Sequence, residues 1–109
     1  MMNLSYGQID RKDLGSLWAS IDWENDRQLY LSSKDLSVML ATPIDDIIEK
    51  CSEGSYTDTY SITFVKVQNV LNMLKNNPNN SNYNRIIYWL EQDILPSIQA
   101  LIYGTFTKL

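Results

Sequence analysis

Apolar and polar positions along the chain follow two different periods. In "SLWASIDWENDRQLYLS" (16–32), Leu17, Ala19, Ile21 and Trp23 alternate with Trp18, Ser20 and Asp22, and Leu29 to Leu31 resume after the polar stretch 24–27. A period of two interrupted by a polar turn predicts a β-hairpin. Trp18 and Trp23 fall on opposite faces by parity, so at least one is either core beneath a helix or exposed for a partner, and the core reading is favoured for each. "YSITFVKV" (60–67) alternates Ile62 and Phe64 with Thr63 and Val65, which predicts a third short strand beside the hairpin.

The rest of the apolar pattern is helical. Leu36, Met39 and Leu40 share a face behind Ser32 and Asp35, and Ile44, Ile47, Ile48 and Cys51 share one behind Thr42 as N-cap, Pro43 at the first helical position and Asp45. Asp35, Asp45 and Asp46 are thereby read as carboxylates at positive helix ends. "SEGSYTDTYS" (52–61) is a loop, with Gly54 stopping the helix before it. Val67, Val70, Leu71 and Leu74 form a third helical face, which ends where six asparagines and one proline crowd residues 76–84. A last helix begins near Ser81, with Tyr83, Ile86, Ile87, Leu90 and Ile94 on one face, continued by Ile98, Leu101 and Ile102. Pro96 lies inside it and should end, kink or restart the helix, at a cost of about 3 kcal/mol if it stays inside. The first fifteen residues show no clear period and are read as an arm (1–14). The expected fold is α+β: a small antiparallel sheet, made of the hairpin and a third short strand, packed against about four helices.

Length and composition narrow the chemistry. At 109 residues the chain fits one domain (1–109). Histidine is absent and Cys51 is the single cysteine, which removes imidazole bases, Cys-His and Ser-His-Asp nucleophiles and structural zinc. No catalytic residue, metal ligand, cofactor or small-molecule substrate is expected, and the chain is read as non-enzymatic. No apolar run is long enough to span a membrane and the N-terminus lacks a secretory pattern, so a soluble, intracellular protein is expected, in a host cytoplasm or in the nucleus of a eukaryotic host. The net charge of -4 is uneven: residues 1–60 hold eleven acids against five bases, and residues 61–109 two acids against four bases.

Three stretches in this order, "LYLSSKDLSVMLA", "TFVKVQNVLNML" and "IIYWLEQDILPSI", resemble the BRO-N domain, the amino-terminal module of baculovirus repeated ORF proteins and of many phage antirepressors. The third carries most of the resemblance, with Trp89 followed six residues later by Leu-Pro-Ser-Ile. The resemblance implies a viral or phage α+β module used in DNA binding and transcriptional or lytic-switch control, with Trp89 anchoring the last helix in the core and Pro96 closing that helix. The chain departs from the pattern in its "KNNPNNSNYNR" loop, where family members are commonly basic.

Two functions follow as expectations. One is a regulatory module binding DNA, with Lys66, Lys75, Arg85, Lys34, Arg27 and Tyr83 as candidate contacts. The alternative is a protein-binding viral effector or inhibitor of a host protein, acting through its acidic half or as a homodimer, with Tyr88, Trp89, Ile98, Leu101 and Ile102 as candidate interface residues.

Overall fold

The computed structural model describes residues 4–11, 13–23 and 28–97. The chain divides into two compact units, with the boundary between Met73 and Leu74.

The first unit is built on a five-stranded antiparallel sheet in the order β1-β2-β3-β5-β4. β1 is Leu4–Arg11, β2 Gly15–Asp22, β3 Leu29–Ser32, β4 Tyr56–Thr57 and β5 Thr63–Lys66. The expected hairpin is β2 with β3, joined in register Ala19 to Leu31 and Ile21 to Leu29, and the expected third strand is β5, beside β3 with Leu31 opposite Val65. Two strands were not foreseen. Residues 4–11, read as part of an arm, pair along their whole length with β2, from Leu4 opposite Asp22 to Arg11 opposite Gly15. β4 lies within the stretch read as a loop and pairs Tyr56 with Phe64.

Because the pleat has period two, the pairing sorts side chains onto two faces. Leu17, Ala19, Ile21, Leu29, Leu31 and Val65 share one face and are all buried. Three helices belong to this unit: α1 Ser33–Leu40, α2 Ile44–Lys50 and most of α3, Val67–Lys75. α1 lies beside β2, β3 and β5, and α2 beside α1. Their apolar stripes contribute Leu36, Met39, Leu40, Ile47, Val70 and Leu71 to the buried set, each Leu or Ile worth about 1.5–3 kcal/mol of transfer free energy on burial.

The helix starts follow the expected chemistry with a one-residue correction. Ser32 caps α1, its hydroxyl accepting from the Asp35 N–H at 3.3 Å. α2 is capped from Pro43, not Thr42, and receives no side-chain cap. Thr42 turns its hydroxyl back to donate to the Leu40 carbonyl at 3.1 Å, so it closes α1 and does not open α2. Asp45 and Asp46 occupy the first turn of α2, where their charge suits the helix dipole. Asp35 does more than sit at a helix end: its Oδ2 accepts from the Trp18 backbone N–H at 2.8 Å, holding β2 to the start of α1. Gly54 stands at φ 74 in the bend after α2, left-handed backbone that glycine adopts without strain.

In the second unit the asparagine-rich turn closes on itself. Asn77 N–H donates to Leu74 O, Asn80 N–H to Asn77 O, and Asn84 Nδ2 to Pro78 O. Asn80, one residue earlier than expected, caps α4 (Ser81–Trp89), accepting from the Tyr83 N–H at 3.1 Å. Lys75 Nζ and Glu91 form an exposed ion pair at 2.8 Å. The chain does not break ahead of Pro96. Residues Leu90–Ile94 widen into a π-helix, with the Leu95 N–H donating to Leu90 O five residues back, and helical backbone continues through Ser97. A π-turn beside a proline is a recognised way to relieve the crowding of the ring against the preceding turn. The Ser97 hydroxyl adds a bond to Asp93 O at 2.7 Å. Trp89 is buried, 3 % exposed.

Candidate functional site

The second face of the sheet is aromatic and polar. By register, Tyr6 of β1, Trp18 and Ser20 of β2, Tyr30 of β3, Phe64 and Lys66 of β5 and Tyr56 of β4 all belong to it. Part of it is closed. Tyr56 stacks on Phe64 with centroids 5.4 Å apart, Tyr30 meets Tyr56 edge-on at 5.1 Å, and the Tyr56 hydroxyl lies 2.5 Å from Ser20 Oγ. Burial lifts the Tyr56 phenol well above its ordinary range, and the Ser20 hydrogen bond opposes that shift. Tyr56, Phe64 and Tyr30 thus form a closed aromatic cluster, and Phe64 extends it to the cleft beside it.

The open part is a cleft of about 320 Å³ lined by Tyr6, Trp18, Asp58, Thr59, Tyr60, Ile62 and Phe64. Tyr6 is 49 %, Trp18 46 % and Tyr60 83 % exposed, whereas Phe64 is buried. Tyr6 stands edge-on to Phe64, centroids 5.7 Å apart at 71°, so Tyr6 walls the cleft above a buried Phe64. Trp18 corrects an expectation: it is not core. Its parity opposite Leu17 and Ala19 places it on the open face, while Trp23 is half-buried and donates from Nε1 to Ser5 Oγ at 2.7 Å.

The loop that completes the cleft is organised by Asp58. Its Oδ1 accepts from the N–H groups of Tyr60 and Ile62, both at 2.9 Å, and the Asp58 N–H donates to Ile62 O at 3.0 Å. Ser61 takes φ 63 to allow the turn. An aspartate bonding backbone two residues on is the Asx-turn device. Here it presents Tyr60 at the rim and fixes one carboxylate, the one charged group among the described lining residues.

The residues singled out in the sequence do not gather at this cleft. Lys34 is exposed in the first turn of α1, and Lys66 ends β5 half-buried, its Cε 2.5 Å from where a Cβ on Gly54 would stand. In the second unit Lys75 pairs with Glu91, Arg85 is exposed on α4 and Tyr83 is half-buried in its first turn. The described candidate cations therefore fall on four separate elements. Tyr88 is 66 % exposed, and Trp89 is buried and offers no surface. Arg27, Ile98, Leu101 and Ile102 lie outside the described residues.

Cys51 is fully buried with its Sγ 4.0 Å from Met73 Sδ, and desolvation, partly offset by Lys50, pushes its thiol up to about 11. A thiol so shifted is a poor nucleophile at neutral pH. Among the described residues no group of three or more His, Cys, Asp or Glu side chains is placed to hold a metal ion, and no helix is long and apolar enough to cross a membrane.

Compared with protein-family models, curated proteins and solved structures, the chain matches none. The chain is an α+β fold carrying an aromatic cleft on one sheet face.

Proposed function

We propose that the chain is a non-enzymatic recognition module that holds a basic segment of a partner protein in the aromatic cleft. One observation carries the reading: Tyr6, Trp18 and Tyr60 remain exposed around the buried Phe64, with Asp58 as the only charge among the described lining residues. Exposed aromatic rings clustered over a concave site are typical anchors for a ligand, and an acidic lining within the acidic half of the chain favours a cationic one. The test is a titration of the full chain with a lysine- and arginine-rich peptide, followed by tryptophan fluorescence. Binding weakened about tenfold or more by Trp18→Ala is the expected result. A peptide that does not bind, or that binds wild type and Trp18→Ala equally, overturns the proposal.

A second reading keeps the resemblance to the BRO-N domain and makes the chain a regulatory module that binds nucleic acid. It is favoured by the same rings together with Lys66 on that face, since unpaired bases stack on exposed aromatics beside a cation. Titration with a single-stranded and a duplex oligonucleotide at two salt concentrations separates the readings. Phosphate contacts release counterions, so binding must strengthen at low salt, and an absence of binding there removes this reading.

A further inference from the structure

We infer that the cleft takes the fully methylated ammonium end of a lysine side chain on the partner protein. The inference rests on the reading of the cleft as a site for a basic segment and deepens it by naming the group recognised.

Three exposed rings line the cleft. Tyr6 stands edge-on over the buried Phe64, Trp18 comes from the neighbouring strand on the same face, and Tyr60 stands at the rim from the 58–61 loop. Ring faces carry negative quadrupole charge, so a cation enclosed by several of them is attracted from several sides. The lining then chooses among cations. A bare lysine ammonium carries three donors and a firm hydration shell. Entering the cleft, it would give up water for few acceptors, because Asp58 Oδ1 already receives two backbone N–H groups and Oδ2 can accept from only part of its three donors. A trimethylated ammonium has no donor left to satisfy and carries its charge behind methyl groups that suit Tyr, Trp, Phe and Ile62 surfaces. Asp58, held by its own turn, supplies an opposite charge without being asked for a hydrogen bond. A neutral apolar group of the same shape would fill the space and gain nothing from that charge or from the ring quadrupoles.

The experiment compares three peptides of one basic sequence on the full chain by calorimetry: an unmodified lysine, a trimethyllysine, and the neutral analogue in which a tert-butyl carbon replaces the trimethylated nitrogen. The trimethyllysine peptide is expected to bind about tenfold or more tighter than both others, the size of a desolvated cation–π contribution. Tyr60→Ala and Trp18→Ala each abolish that preference, and Asp58→Asn, which keeps the Oδ1 acceptor for the turn, reduces it. Exposure of Tyr60 and Trp18 makes those variants compatible with folding, checked by circular dichroism. Equal binding of the neutral analogue reduces the cleft to an apolar pocket and overturns the inference. Equal binding of unmodified lysine also overturns it, and in both cases recognition of a basic segment stands. If none of the three binds, the inference and the proposed function fall together.

Discussion

At the scale of single residues, burial decides what each group can do. Cys51 keeps its proton in the folded protein up to about pH 11, against an ordinary value of 9.0, because its surroundings cannot solvate a thiolate. Its contribution to stability is therefore complete below pH 9 and is lost as pH rises toward 11, with a slope of up to about 1.4 kcal/mol per pH unit. Urea unfolding at about pH 8 and about pH 10.5 should show the loss, and Cys51→Ala should flatten the dependence, Tyr56 contributing the remainder in the same direction. Gly54 faces a different constraint. At φ 74 an added Cβ is strained, and it would also displace the end of the Lys66 side chain. Gly54→Ala should lower the unfolding free energy by about 1 kcal/mol, read from the denaturation midpoint at unchanged slope. Trp18 shows how far parity alone reaches: its face was legible from the alternation with Leu17 and Ala19, but whether that face was covered was not.

At the scale of elements, legibility followed the strength of the pattern. The helices carry apolar stripes at 3.6 spacing, α1 and α4 with a capping side chain as well, and all four lie where those signals place them, with N-caps displaced by one residue at Pro43 and Asn80. β2, β3 and β5 sit inside the sheet and alternate or run apolar. β1 and β4 are its edges. An edge strand buries little, so "LSYGQIDR" shows no clean alternation, and β4 is only two residues long. That is why the cleft was missed, since Tyr6 comes from one edge and Tyr60 from the loop after the other. The available signal was the pair of tyrosines, Tyr56 and Tyr60, inside an otherwise polar loop. The Asp35 bond to the Trp18 N–H was likewise invisible, because it joins residues seventeen apart through a side chain. Asp35→Ala should cost about 1–2 kcal/mol in urea unfolding and, by freeing the backbone beneath Trp18, weaken peptide binding at the cleft as well.

At the scale of the whole molecule, charge sets how a partner arrives. Residues 1–60, which hold most of the cleft's lining, carry eleven acids against five bases, so a cationic peptide should associate more slowly as salt is raised, while its dissociation rate changes little. Stopped-flow measurement at about 50 and about 300 mM salt would show it, those values spanning most of the useful screening range. The strand order has a consequence of another kind. β3 is completed on one side by β2, made just before it, but on the other by β5, more than thirty residues later. During synthesis, therefore, the three-stranded meander emerges with the flank of Leu31 and its neighbours open to any extended chain, and stays so until Lys66 has left the ribosome.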